Sequence, residues 1–163
     1  MDPVEQAVEA WRTRRPDLDP SPMLIVGRVQ RLWALWDLGL RAPLAAADLH
    51  PGDWDVLAAL RRLDRPVAPG ALARTMLVTA GATTKRIDRL VAAGLAQRSP
   101  SPHDGRSRLV HITDDGRALA DRLIEPHLSN ESALLSPLSA EERETLSHLL
   151  GRLLDHAEPG SRE

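Results

Sequence analysis

The side chains whose types and spacing could support chemistry are concentrated between residues 61 and 110. This segment carries ten Arg and Lys against three Asp and Glu, whereas residues 1–60 carry six against nine and residues 111–163 carry five against eleven. A basic centre between acidic flanks is typical of a segment that faces a polyanion. A basic surface that faces only solvent would give the same charge balance, so the motifs inside the segment must distinguish between the two interpretations.

A group of hydrogen-bond donors occupies the first turns of one predicted helix in this segment: Thr83, Thr84, Lys85 and Arg86. A helix that enters the major groove presents such side chains to base edges. Arg106 and Arg108 lie in a predicted hairpin and are long enough to reach phosphates or a narrow minor groove. Arg89 is interpreted as a phosphate contact or a solvated residue. Together these residues indicate duplex DNA as a partner.

Other kinds of chemistry are not indicated. The chain has no Cys, which excludes disulfides, thiolate metal sites and cysteine nucleophiles. Its six His include no pair at the i, i+4 spacing of metal ligands, so we predict no metal site. Neither a nucleophile elbow nor a phosphate-binding loop is present. We therefore expect no cofactor, no catalytic residue and no enzymatic activity.

The spacing of the apolar residues and the positions of Gly, Pro and capping residues predict the helices and strands that must position these hydrogen-bond donors. Helices are expected over 3–14, 23–40, 53–62, 69–75 and 80–93, from about 114 to 124 and on to 135, and after 139, with short strands at 95–98 and 108–113. Thr79 and Thr113 are helix-start residues, Gly94 is a left-handed stop, and Ser139 with Glu142 forms a capping box. Pro126 is expected to kink or interrupt its helix.

The order helix, turn, helix, Gly, strand, basic loop and strand predicts a fold class. The protein should be mainly α, a winged helix-turn-helix with a two-stranded β-wing and a helical dimerisation region. The expected divisions are 1–50 for the N-terminal helices, 51–117 for the DNA-binding unit and 118–163 for the C-terminal helices. A leucine stripe from Leu146 to Leu154 is too apolar to remain exposed to solvent, so we expect a homodimer. No membrane span or secretory signal is visible, and the cytoplasm is the expected location.

Several motifs resemble those of the multiple antibiotic resistance regulator (MarR) family over roughly residues 23–157. They lie at residues 55–60, 72–74, 84–90 and 94–95, and at 104–117, which resembles the family's wing signature of Asp-x-Arg and a strand ending in Leu/Ile-Thr-x-x-Gly. The resemblance implies a triangular dimer whose two winged helices face adjacent major grooves, with Asp104 in the wing. It also implies ligand-modulated transcription control, usually repression.

The N-terminal residues resemble a narrower, urate-responsive branch of that family. Trp11-Arg12, the segment 15–19 and Pro22-Met23 look like its extra N-terminal helix. By motif position, the branch's effector site falls on Trp11, Asp55, Arg86 and Arg98. The resemblance implies that a small anionic or aromatic ligand, such as urate, competes with Asp55 for the two Arg and stacks near Trp11.

Alternatives remain open from the sequence. Trp11, Trp33 and Trp36 could be packing residues, and Asp55 could serve the helix dipole in a first turn. The regulator could respond to a different effector or to none. A winged helix could also serve protein contact, although such a module need not have a basic centre.

Overall fold

The computed structural model describes residues 1–76, 80–101 and 108–158. Its helices are α1 (Pro3–Arg14), α2 (Met23–Ala45), α3 (Pro51–Leu63), α4 (Pro69–Thr75), α5 (Ala80–Ala92), α6 (Asp114–Leu134) and α7 (Ala140–Ala157), and its strands are β1 (Ala96–Pro100) and β2 (Arg108–Ile112). The two strands form one antiparallel sheet that runs from Ala96 opposite Ile112 to Pro100 opposite Arg108. The predicted class, mainly helical with a two-stranded wing, is confirmed.

The extra helix α1 is capped and docked by the same two carboxylates. Asp2 accepts hydrogen bonds from the backbone N–H groups of Val4 and Glu5, and the Glu5 carboxylate accepts one from the Asp2 N–H. Arg28 of α2 then pairs with Asp2 at 2.8 Å and with Glu5 at 2.7 Å. The side chain of Val8 is buried on the same side. Helix α1 is therefore attached to α2 by charge as well as by apolar packing.

Two helices contain a proline and continue past it. Helix α2 ends at Ala45 rather than near residue 40 and includes Pro43. Helix α6 is continuous through Pro126, so the expected interruption there is not found. Pro43 has no N–H to donate to the carbonyl of Gly39, four residues earlier. The side-chain N–H of Asn130 on α6 donates to that carbonyl at 2.8 Å, so packing between α2 and α6 replaces the missing hydrogen bond.

The core of the central unit lies between α3, α4, α5 and the sheet. Its fully buried side chains include Leu57, Leu60, Leu72, Ile87 and Val110. The buried residues of α5 are three and four positions apart, so they lie on one side of the helix.

Thr113 and Gly116 make the close contacts between the start of α6 and the segment that leads into the wing. The Thr113 hydroxyl donates to the Gly94 carbonyl at 2.7 Å and accepts from the Gly116 N–H at 3.1 Å, which confirms Thr113 as a helix cap. Gly94 has a φ of +73°, the left-handed conformation expected at a helix stop. A Cβ at Gly116 would collide with the Leu95 carbonyl oxygen. This contact explains why the Thr-x-x-Gly spacing follows the second strand.

Two helices carry large exposed apolar side chains in the single chain. Helix α7 has no buried residue, and the exposed side chains on it and on α2 include Leu146, Leu149, Leu150, Leu153, Leu154, Val29, Leu32 and Trp33. Within the described ranges, no helix is long and apolar enough to cross a membrane. The predicted capping box of Ser139 and Glu142 at the start of α7 is confirmed.

Candidate functional site

Helix α5 exposes only some of the residues that the sequence assigned to base contact. Thr84 and Lys85 are exposed, and Lys85 is the single lysine of the chain. Thr83 has 0% exposure, so the prediction that it contacts a base is wrong for this conformation. The reason is helical periodicity, since Thr83 shares the buried face with Ile87 and Leu90.

The predicted wing contacts are only partly described. Arg108 is exposed at the start of β2, where the two strands lead into the hairpin loop. Asp104 and Arg106 lie outside the described residues, as does the predicted cap Thr79. Arg108 is therefore the described wing cation that remains available for a phosphate.

Arg86, the residue after Lys85 on α5, is partly buried. Its Nη1 lies 3.3 Å from Oδ2 of Asp55, and its side chain is 20% exposed against 53% for that of Asp55. A Cβ at position 52 would lie 2.6 Å from both Cζ and Nε of Arg86, so Gly52 makes room for the guanidinium. The predicted proximity of Asp55 and Arg86 is confirmed, and Arg86 faces inward.

The pair lies in what we call the Arg86 cleft, whose lining includes Trp33, Trp54, Asp55, Arg62, Arg86 and His127, with a volume of about 560 Å³. The rings of Trp54 and His127 are 5.3 Å apart, and Nε2 of His127 lies 3.2 Å from Oε1 of Glu131. Burial raises the pKa of Asp55, and the positive charge of Arg86 opposes this rise. The cleft thus combines two cations, one carboxylate and flat aromatic walls.

The other two residues of the implied effector site lie elsewhere in the chain. Trp11 lines a small groove formed by Leu18, Pro20 and neighbouring residues. Arg98 on β1 pairs with Asp88 of α5 at 2.8 Å. The structure therefore brings together Asp55 and Arg86, but it does not bring Trp11 or Arg98 into the Arg86 cleft within one chain.

Three cleft residues were not assigned to a site from the sequence. Trp33 was expected to pack in the core or in the dimer, and in the single chain it is 65% exposed and lines the cleft. Arg62 and His127 were given no role. Arg62 follows Asp55 by seven residues on α3 and so lies on the same face two turns later, a spacing that could have joined the two. His127 lies on α6, and only tertiary packing brings α6 to α3.

Arg89 is neither isolated nor fully solvated. Its Nε lies 2.8 Å from Oδ2 of Asp53, and its Nη2 lies 2.5 Å from Oδ1. Asp53 is 4% exposed, so the pair joins α5 to a buried carboxylate in the first turn of α3. Within the part of the chain that the structure describes, no group of three or more His, Asp or Glu could hold a metal ion.

A helix pair, a two-stranded wing and an exposed polar face on the second helix define a winged helix-turn-helix of the transcription-regulator class. Residues 47–107 match the model of the MarR family. The HTH-type transcriptional regulator PecS of Dickeya dadantii is 39% identical over 155 residues, which cover 94% of this chain and 93% of PecS. The multiple antibiotic resistance protein MarR of Escherichia coli is 33% identical over 114 residues, covering 68% of this chain and 77% of MarR.

A solved structure agrees with the sequence comparisons. The crystal structure of a mutant MarR from Escherichia coli complexed with operator DNA has a TM-score of 0.73 and 27% identity, covering 88% of this chain and 97% of that one. The chain belongs to the MarR family of transcriptional regulators.

Proposed function

We propose that this protein is a homodimeric repressor that binds a pseudo-palindromic operator and releases it on binding a small anionic or aromatic ligand such as urate. One observation carries the proposal. Helix α5 exposes Thr84 and Lys85, while Arg86, the next residue, lines an aromatic cleft. A change in that cleft therefore acts on the helix that reads DNA.

DNA binding rests on the exposed face of α5 and on the wing. Thr84 and Lys85 contact base edges, while Arg108 and the wing residue Arg106 contact phosphates. A MarR relative of the same fold is complexed with operator DNA, which supports DNA as the partner of this chain. Two-fold symmetry implies half-sites about one helical turn, roughly 34 Å, apart.

Dimerisation rests on the apolar surface that a single chain leaves uncovered. The flanks 1–50 and 118–163 supply the dimer contacts, and 51–117 is the DNA-binding unit. The exposed leucines of α7 and the apolar face of α2 would be covered by a second copy. Light scattering at micromolar concentration should give the mass of a dimer, and a monomeric mass would contradict this part of the proposal.

The ligand site is the Arg86 cleft. An anion would be held by Arg62 and Arg86, and its flat body would stack on Trp33. Among the described residues Arg62 forms no ion pair, so its charge is available. The ligand competes with Asp55 for Arg86 and thereby displaces α5. A hundredfold preference for the DNA-free conformation would supply about 2.7 kcal/mol.

Trp11 and Arg98 belong to this site only if the dimer or the ligand-bound state carries them to the cleft. Their exposed positions permit such a movement, since Arg98 is held by one ion pair to Asp88. The variants Trp11→Ala and Arg98→Ala test this contribution separately from that of the cleft residues.

The test is a gel-shift titration with DNA from upstream of the protein's own gene, with and without urate, while Trp fluorescence is followed. Fluorescence quenching and operator release should occur at the same urate concentration. Both should weaken in Arg62→Gln and Arg86→Gln but not in Arg14→Gln, which removes an exposed cation of α1. Release by another small acid and not by urate would keep the switch and change its ligand. Absence of any specific DNA binding would refute the proposed function.

A further inference from the structure

The exposed face of α5 carries an acidic side chain among its hydrogen-bond donors. A helix turns by about 100° per residue, so Asp88 points in a direction about 40° from that of Thr84 and about 60° from that of Lys85. All three side chains are exposed, and Asp88 lies between the other two in direction, one turn further along the helix. DNA is a polyanion, and a bare carboxylate at this position would repel its phosphates. A counter-charge for Asp88 would remove this repulsion.

Arg98 of the first wing strand supplies that counter-charge. Its Nη2 lies 2.8 Å from Oδ1 of Asp88, and the two side chains are 36% and 54% exposed. Arg98 follows Ala96 by two residues in β1, so it shares the side of the strand on which Ala96 is buried. Because β1 packs against α5, a cation on this side can reach the helix. The pair thus connects the wing to the exposed face of α5.

The other charges of this face leave one cation without a counter-charge. Arg89, the residue after Asp88, is held by Asp53 through two hydrogen bonds. The ammonium group of Lys85 forms no ion pair with any described residue. With Asp88 paired to Arg98, the net charge of the face is therefore that of Lys85. Without Arg98, the carboxylate of Asp88 would cancel it.

We propose that Arg98 is a positioning residue for operator binding, which neutralises Asp88 and so allows the exposed face of α5 to approach the DNA phosphates. This role rests on the proposed binding of DNA through α5 and gives an electrostatic condition for it. Arg98 acts through Asp88 and not through a phosphate contact of its own. Removing the acid should therefore remove the need for the cation.

The test is a double-mutant cycle, read by gel shift on DNA from upstream of the protein's own gene, without ligand. Arg98→Gln should weaken operator affinity about tenfold at roughly 0.1 M salt, the effect of one charge against DNA. Asp88→Asn should bind as tightly as the wild type or more tightly, because it removes the opposing charge. The variant with both substitutions should return to within about twofold of the wild type, since the two residues act as a pair.

Arg61 of α3 and Asp121 of α6 provide a matched control pair. They also lie 2.8 Å apart, and their side chains are 39% and 56% exposed, but neither lies on α5 or in the wing. Arg61→Gln and Asp121→Asn change the net charge of the chain by the same amounts as the test variants. Both should leave operator affinity within about twofold of the wild type, because salt screens distant charges.

Three outcomes would overturn the proposal. Weaker operator binding by Asp88→Asn would show that the pair holds the wing in place or that Asp88 itself contacts DNA. An equal loss from Arg98→Gln with and without Asp88 would show that Arg98 contacts a phosphate directly. An equal loss from Arg61→Gln would reduce the effect to net charge. In each case the wild type still binds its operator and the proposed function stands, whereas a wild type that binds no operator would refute both.

Discussion

Gly52 offers a test of the link between Arg86 and DNA binding that adds only one methyl group. In Gly52→Ala the new Cβ would lie 2.6 Å from Cζ and Nε of Arg86 and 2.8 Å from Nη2. Ordinary contacts of this kind are about 3.5–4 Å, so the guanidinium must retreat by about 1 Å. The hydrogen bond from Arg86 to Asp55 is already 3.3 Å long. It is close to the outer limit of roughly 3.5 Å, and such a retreat breaks it.

The effect on stability should be small, because two terms oppose each other. Alanine is preferred over glycine inside a helix by about 0.5–1 kcal/mol. The lost ion pair contributes about 1 kcal/mol or less, since the Asp55 side chain is 53% exposed. The free energy of unfolding should therefore change by less than about 1 kcal/mol. Operator affinity without ligand should fall by up to about fivefold, the equivalent of 1 kcal/mol. The response to urate should shrink with it.

Two other glycines provide matched controls. Gly70, like Gly52, is the second residue of a helix that begins with Pro, and a Cβ there meets nothing within 4 Å. Gly70→Ala in urea unfolding reports the helix preference alone. Gly39→Ala, which also meets nothing within 4 Å, serves as the control in the gel-shift assay. Wild-type operator affinity and urate response in Gly52→Ala would refute the coupling. A loss of stability above about 3 kcal/mol would show that the guanidinium cannot retreat.

Three further predictions concern other parts of the chain. Gly116→Ala should destabilise the protein by more than about 3 kcal/mol in urea unfolding, since the new Cβ meets a backbone carbonyl that cannot move; a neutral result would refute this contact. Amine acetylation of Lys85, read by mass spectrometry, should be suppressed by operator DNA, and equal labelling would remove Lys85 from the interface. The pKa of Asp2 is lowered below 3.8 by the Glu5 N–H and by Arg28, so its contribution to stability is present above that value and is lost as pH falls through the folded pKa. Trp11 fluorescence should report loosening of α1 in that acid range in the wild type, and an identical titration in Asp2→Asn would contradict this.

The sequence predicted most helix starts because their signals are local. Thr113 and Ser139 each accept from a backbone N–H three residues later, so the pattern is visible without the fold. The end of α2 and the continuity of α6 through Pro126 were predicted less well. Pro43 and Pro126 are tolerated inside helices that pack against each other, and this packing cannot be inferred from a window of sequence.

The candidate site was predictable only where a motif or a period fixed it. The pairing of Asp55 with Arg86 was implied by family resemblance and is confirmed. The burial of Thr83 could have been foreseen from its i, i+4 spacing to Ile87, a buried residue of the same helix. Trp33 and His127 could not have been foreseen, since they reach the cleft from helices that are far apart in sequence.

The two Asp–Arg pairs between α3 and α5 differ in burial and in the number of hydrogen bonds, and this difference would give the proposed switch a direction. Asp53 binds Arg89 through two hydrogen bonds and is buried, whereas Asp55 binds Arg86 through one and is half-exposed. Removing the partner of a buried carboxylate costs more than breaking an exposed pair, which costs about 1 kcal/mol or less. A ligand in the Arg86 cleft would therefore release the first half of α5, which carries Lys85, while the second half stays attached at Arg89. We expect Arg86→Gln to change operator affinity with little loss of stability and Arg89→Gln to lower the free energy of unfolding. The reverse order in urea unfolding would show that α5 does not pivot at Arg89.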